Sequence, residues 1–181
     1  MIGNDIEKIL ISKEQISTAV KEMANKINND YKGKSLVVVC VLKGSTIFFA
    51  DLVRELDVEV SFDFITVASY GDGVASSGHV IVKQDLTEII TGKNVLVVED
   101  IIDSGRTIMR LREILADRKP QSLKVASLLV KPSRHEVAVN AEYIGLEIPD
   151  EFVVGYGLDY AGKYRNLKDI AVLSRSAYTK Q

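Results

Sequence analysis

Apolar and polar positions along the chain follow two rhythms. Ile16, Val20, Met23 and Ile27 recur at helical spacing, and Ser12 with Gln15 three residues on forms a capping-box pattern. This helix is expected to run to about Asp30, with Tyr31-Lys32-Gly33 as its exit. Leu36 to Leu42 is then an unbroken apolar run, as suits a parallel strand covered on both faces. Lys43-Gly44-Ser45 interrupts it, and Ile47 to Leu56 returns to helical periodicity. Val58 to Tyr70 is rich in β-branched and aromatic residues and reads as a long strand. Gly71 to Gly78 is small and polar, a flexible loop, and His79 to Lys83 reads as the returning strand of an antiparallel hairpin.

Val95 to Val98 is a second fully apolar strand, followed by a helix marked by Ile108, Leu111, Ile114 and Leu115. Leu123 to Val130 is a third strand; shorter ones are expected at Tyr143–Ile148, Phe152–Tyr156 and Ile170–Leu173. Strand–helix alternation argues for an α/β fold with a central parallel sheet flanked by helices, plus a small cap from the two chain ends. At ~150 residues per domain, 181 residues make one unit over 1–181, with its core at about 36–165. Lys+Arg 23 against Asp+Glu 25 gives a net charge of −2, so no overall field favours nucleic acid or an anionic membrane. The single cysteine excludes an internal disulfide framework, and Cys40 reads as a packing residue. No apolar run reaches the ~18 residues of a membrane span and the N-terminus has no signal pattern, so the expected location is the cytoplasm.

The chemistry concentrates in Val95-Leu96-Val97-Val98-Glu99-Asp100-Ile101-Ile102-Asp103-Ser104-Gly105-Arg106-Thr107. Burying both Glu99 and Asp100 inside a sheet would cost several kcal/mol each without partners, which places them at the strand's carboxyl end. That edge is where open α/β sheets bind ligands. Two hydroxyls, a glycine and the free amides of a helix N-terminus then make an anion cradle at Asp103–Thr107. The spacing is not that of the GxxxxGK[ST] phosphate loop. Carboxylates for a diol beside a cradle for a phosphate describe a ribose phosphate. The bland alternative is a solvated strand end with Ser104 as a helix cap.

This segment resembles the phosphoribosyl-diphosphate signature of the type I phosphoribosyltransferases, and the chain is most similar to their hypoxanthine-guanine branch. Leu42-Lys43-Gly44-Ser45, Ser69-Tyr70, Val125–Lys131, Phe152–Tyr160 and Tyr164-Arg165 carry the same resemblance, in the family's order, from residue 36 to 167. Ser45, and Ser104-Gly105-Arg106 where relatives often have Thr-Gly-Lys, depart from the pattern while keeping polarity and size class.

The resemblance implies the type I phosphoribosyltransferase fold and transfer of phosphoribosyl to a 6-oxopurine with loss of pyrophosphate. It implies Asp103 as general base, Glu99 and Asp100 on the ribose hydroxyls, and Asp103, Ser104, Gly105, Arg106 and Thr107 around the 5-phosphate. Lys43, Gly44 and Arg165 would meet pyrophosphate. Lys131 would read purine O6, Phe152 and Ile101 would flank the base, and Val153 and Asp159 would read its N1–C2 edge. Magnesium would be held by Asp159, with Glu99 and Asp100 near a second ion. Ser69 and Tyr70 would hinge a closing loop at 71–78. The resemblance also raises a cis form of the Leu42–Lys43 peptide, and self-association as a homodimer or homotetramer.

Residue by residue, simpler readings compete: Lys131 as a solvated charge, Phe152 as core, Asp159 as a turn, Arg165 as a surface ion-pair partner. His79 and His135 match no functional position. Two other classes stand beside the salvage enzyme: a nucleic-acid-binding regulator on the same fold, disfavoured by charge and the lack of a helix-turn-helix, and an enzyme acting on xanthine or uracil.

Overall fold

The computed structural model describes residues 5–69 and 80–178. Two sheets organise them. The larger has β2 (Ser35–Leu42), β3 (Glu59–Ser69), β4 (Val80–Gln84), β5 (Asn94–Ile102), β6 (Ser122–Val130) and β7 (Tyr143–Glu147), in the order β4-β3-β2-β5-β6-β7. All neighbours run parallel except β4, which pairs antiparallel with β3 at the edge, as the hairpin reading expects. The expected loop at 71–78, with Tyr70 and His79, lies outside the described residues.

Parity along the strands divides the core. Leu36, Val38 and Cys40 of β2 share one face with Leu96 and Val98 of β5, and with Ile16, Val20, Met23 and Ile27 of α1 (Lys13–Asp30). Phe48 and Leu52 of α2 (Thr46–Arg54) complete that face. Val37, Val39 and Val41 join Val95 and Val97 on the other, under Ile108, Leu111 and Leu115 of α3 (Arg106–Ala116). Successive side chains of a strand point to opposite faces, so only a strand covered twice is apolar at every position. This is the physical content of the unbroken runs at Leu36–Leu42 and Val95–Val98.

Helix α1 begins as its sequence indicates. The Gln15 N–H donates to Ser12 Oγ at 3.3 Å, and the Ser12 N–H to Gln15 Oε1 at 2.9 Å. Each satisfies an amide that the first helical turn would leave unpaired.

The second sheet joins the chain ends: β1 (Ile6–Ile11), β9 (Ile170–Leu173) and β8 (Val153–Val154), all antiparallel. It answers to the expected cap. Strand β1 was not foreseen, because IEKILI carries no turn signal and is a strand only through pairing with a segment near the other terminus. Strand β8 is shorter than the expected Phe152–Tyr156. Gly155 at φ +99° and Tyr156 at φ +50° turn the chain out of extended geometry, and Gly155 bridges Leu158 instead. A short helix, α4 (Arg175–Tyr178), ends the described chain, and no helix among the described residues is long and apolar enough to cross a membrane.

Ser12→Ala removes the acceptor for the Gln15 amide and opens the box. Urea denaturation should show a loss of ~1 kcal/mol with an unchanged slope, since the surface exposed on unfolding stays the same.

Candidate active site

The carboxyl ends of β2, β5 and β6 converge on one edge of the large sheet. Strand β5 runs on to Ile102, so Glu99 and Asp100 lie within it rather than at its end, each only 8% exposed. This corrects the expectation that the two carboxylates sit at the strand's carboxyl end. Part of the burial cost is met locally. The Asp100 N–H donates to the buried Ser45 Oγ at 3.1 Å, and Asp100 Oδ1 accepts from the Ile101 N–H at 2.8 Å. Glu99 Oε2 has no hydrogen-bond partner. Burial, and then the neighbouring Asp100 charge, holds the Glu99 carboxyl well above the usual carboxylate range. Burial also raises Asp100, opposed in part by the positive charge of Arg165.

The two carboxylates leave β5 toward opposite faces. Glu99 lines a cleft of about 100 Å³ with Ile101, Ile102, Asp103, Ser104, Gly105, Thr107 and Ile108, on the α3 side. Asp100 faces the start of α2, against Gly44: a Cβ at Gly44 would lie 1.7 Å from Asp100 Oδ2. The Leu42–Lys43 peptide leading into this turn is cis, as the resemblance raised. The exposed Lys43 caps the turn through its carbonyl, which accepts from Thr46 N and Oγ1.

On the cradle side, Gly105 starts α3 at φ +84°, and the Arg106 N–H donates to Ser104 Oγ at 3.4 Å. A Cβ at Gly105 would strike Val139 Cγ2, so this glycine is required by conformation and by space. The loop after β6 folds over the cradle through the Glu136 N–H to the Ser104 carbonyl, 3.0 Å, and the Arg106–Glu136 ion pair. The half-buried Thr107 completes the first turn.

Lys131 ends β6. It is 6% exposed rather than solvated, with its ammonium 3.8 Å from Asp103 Oδ2 and 3.7 Å from Asp150 Oδ1. Phe152 is 41% exposed, which removes the core reading; its ring stacks on Tyr178 at 5.2 Å and meets Tyr160 edge-on at 5.6 Å. Val153 is buried in β8, and Ile101 is half-buried. The Asp159 carboxylate pairs with Arg165 at 2.6 Å and accepts from the Gly162 N–H at 2.7 Å. Arg165 also donates to the Gly157 carbonyl, and a Cβ at Gly157 would meet the Gly44 carbonyl at 2.0 Å. Lys43, Gly44, Asp100, Asp159 and Arg165 thus form one group, while Glu99, Asp103–Thr107 and Lys131 form another across β5. Ser69 ends β3. Among the described residues no three His, Cys, Asp or Glu side chains form a metal-binding group.

A wider cleft of about 420 Å³ lies between α1, α2 and residues 166–168, with Lys13, Arg54 and Lys168 set against Asp51 and Glu55. Burial, and then the charges of Glu99 and Asp100, push the Cys40 thiol up to about 12, in keeping with a packing role.

Residues 9–161 match the phosphoribosyl transferase domain. The chain belongs to the phosphoribosyltransferase family. Among similar proteins, a hypoxanthine-guanine phosphoribosyltransferase of Streptococcus pneumoniae is 46% identical over 99% of both chains. A bifunctional protein TilS/HprT of Listeria innocua is 45% identical over 98% of this chain, which spans 27% of that longer protein. Among solved structures, a hypoxanthine phosphoribosyltransferase from Staphylococcus aureus superimposes with a TM-score of 0.94 at 44% identity, covering 98% of this chain and 96% of that one. A hypoxanthine-guanine phosphoribosyltransferase from Bacillus anthracis gives a TM-score of 0.87 at 49% identity, covering 93% and 99%.

Several residues of this candidate site escaped the sequence reading. Ser45 was noted only as a departure, yet its hydroxyl tethers β5. Arg134 donates from Nε to Asp103 Oδ1 at 3.0 Å, and Asp150 faces Lys131. Tyr178 backs Phe152 from the far end of the chain. A charged residue three positions beyond Lys131 was the only available signal for Arg134.

Two outcomes follow for this edge. Gly44→Ala should abolish turnover, measured as nucleotide formed, because the new methyl and the Asp100 carboxylate cannot share the space. Glu99→Gln should stabilise the fold at neutral pH. A carboxyl whose folded-state value is raised is penalised by folding once ionised; the penalty is absent below its unfolded value and grows as pH rises toward the folded one. The gain over wild type in urea midpoint should therefore be present at pH 7 and vanish below pH ~4.

Proposed function

We propose that this phosphoribosyltransferase serves purine salvage, moving the 5-phosphoribosyl group of phosphoribosyl diphosphate to N9 of hypoxanthine or guanine and yielding IMP or GMP plus pyrophosphate. The observation that carries the reading is the approach of a buried lysine to a carboxylate at the ends of adjacent strands: Lys131 and Asp103, 3.8 Å apart. O6 and N7 lie side by side on one edge of a 6-oxopurine. A donor for O6 and an acceptor for the N7 proton must therefore be neighbours, and here they are.

Attack by N9 on the anomeric carbon breaks the bond to pyrophosphate, which departs with the electron pair. Positive charge builds on the ribose ring meanwhile, as in glycoside cleavage. The N7 proton passes to Asp103, a step worth roughly 10²–10⁴ in rate. Glu99 and Asp100 hold the ribose hydroxyls and set negative charge near the developing cation. Asp103, Ser104, Gly105, Arg106 and Thr107, at the positive end of the α3 dipole, take the 5-phosphate. Lys43, Gly44 and Arg165 receive pyrophosphate. The exposed ring of Phe152 stacks on the base with Ile101 on its other face, and backbone groups of Val153 and Asp159 read the N1–C2 edge. A lysine donor at position 6 selects an oxo over an amino group, so adenine is a poor substrate.

Magnesium suits this donor set, since it takes one or two carboxylates together with phosphate oxygens. Asp159 would hold it beside pyrophosphate, with Glu99 and Asp100 near a second ion, and it would neutralise the leaving group. Ser69 and Tyr70 would hinge a loop that keeps water from the cation. A cytoplasmic homodimer or homotetramer, with no nucleic-acid or membrane partner, belongs to the same proposal and rests on the family resemblance and the net charge of −2.

The test is an assay with hypoxanthine, guanine, xanthine and adenine in turn, each with phosphoribosyl diphosphate and magnesium. Nucleotide should form with the first two and hardly at all with adenine; equal rates with adenine would sink the O6 reading. Asp103→Asn should lower turnover by roughly 10²–10⁴ while largely sparing diphosphate binding. Lys131→Ala should raise the purine KM by roughly ten- to a hundredfold, as one charged hydrogen bond is worth ~1.5–3 kcal/mol.

A further inference from the structure

Asp103 and Lys131 belong to a closed ring of four charges. Lys131 Nζ faces Asp103 Oδ2 at 3.8 Å and Asp150 Oδ1 at 3.7 Å. Arg134 closes the circuit, with Nε donating to Asp103 Oδ1 at 3.0 Å and Nη1 lying 3.7 Å from Asp150 Oδ2. Signs alternate around the ring, and its net charge is zero. It ties the loop after β5 (Asp103), the turn after β6 (Lys131 and Arg134) and the turn after β7 (Asp150). Backbone bonds fix those segments: the Lys131 N–H to the Ile102 carbonyl at 3.0 Å, the Arg134 N–H to the Lys131 carbonyl at 2.9 Å, and the Ile148 N–H to the Val130 carbonyl at 2.9 Å.

We propose that Arg134 and Asp150 are positioning residues that hold the base-reading lysine and the proton-accepting carboxylate in register for a 6-oxopurine. The inference rests on the roles given above to Asp103 and Lys131 and adds a mechanism for keeping them apart. An ammonium and a carboxylate left alone in a buried site close to hydrogen-bond distance. The ammonium would then be spent on the carboxylate, leaving neither group for the purine. Arg134 occupies one carboxylate oxygen of Asp103, and Asp150 draws Lys131 the other way. Both Lys131 separations therefore stay beyond hydrogen-bond length, and the ammonium remains available to O6 while Asp103 Oδ2 remains available to the N7 proton. Glu136 adds negative charge near Arg134 from the following loop, itself paired with Arg106.

Charge balance makes the ring testable as a unit. Arg134→Gln leaves two carboxylates on one buried lysine, and Asp150→Asn leaves Asp103 alone between two cations. Either change should lower kcat/KM for hypoxanthine by ~10-fold, in the range that a displacement of catalytic groups well under 1 Å produces. The KM for phosphoribosyl diphosphate should stay within ~2-fold, and the melting temperature should hold, because Arg134 and Asp150 are half exposed and such pairs add little to stability. The double variant restores neutrality and should be no worse than either single one, where independent residues would lose ~100-fold. Arg134→Lys should recover part of the loss, since a single ammonium can face only one of the two carboxylates at a time.

Additive losses in the double variant would overturn the proposal. So would near-wild-type rates in both single variants while Asp103→Asn is inactive. Parallel losses for both substrates together with a lower melting temperature would mark a merely structural role and overturn it too. Normal turnover in Asp103→Asn with an unchanged purine KM in Lys131→Ala would instead remove the underlying roles, an outcome the ring variants alone do not produce.

Discussion

The structure turns on two carboxylates held almost without water inside a strand that is otherwise apolar. An ionised side chain in a sheet interior is tolerated only where the surrounding chain is built around it. Here Ser45 reaches across to the β5 backbone, Gly44 gives up its side chain so that Asp100 fits, and Arg165 brings compensating charge. Glu99 keeps an oxygen without a partner. A site stabilised this incompletely is poised to gain from a polyhydroxylated, charged ligand, which makes the same groups costly to folding and useful to binding.

Much of this was legible before any coordinates. Periodicity marked α1, β2, β5 and β6, because burial on both faces leaves runs such as Leu36–Leu42 with no polar position at all. The candidate site was legible where its residues are contiguous, as in Glu99 to Thr107. It failed where the determinants are long-range. β1 is a strand only because β9 lies beside it, and Arg134 and Asp150 acquire their roles from partners on other strands. Tyr178 meets Phe152 only through the three-stranded sheet. The placement of Glu99 and Asp100 failed for a different reason. The cost of burying them was weighed correctly, but part of what offsets it for Asp100, the positive charge of Arg165, comes from a distant loop that local reasoning does not join to β5.

Glycines set the closest approaches. Gly44 lies against Asp100 and Gly157 against the Gly44 carbonyl, so the turn after β2, strand β5 and the loop carrying Asp159 are packed backbone to side chain and backbone to backbone. The approach of Gly157 to Gly44 joins segments more than a hundred residues apart. On the α3 side Gly105 fits against Val139 in the same way, and beside it Glu99, Asp103, Ser104 and Thr107 share a cleft with Ile101, Ile102 and Ile108.

The three-stranded sheet gathers distant parts of the described chain behind one exposed ring. β9 is the middle strand between β1 and β8, and α4, which follows it, supplies the ring that backs Phe152. The parallel strands β2, β5 and β6 pair with one another without this sheet, whereas Phe152 has its stacked aromatic support only where β8, β9 and α4 have come together. A defect in β9 is therefore felt first at Phe152, while the edge carrying Glu99 to Thr107 keeps its own strand partners.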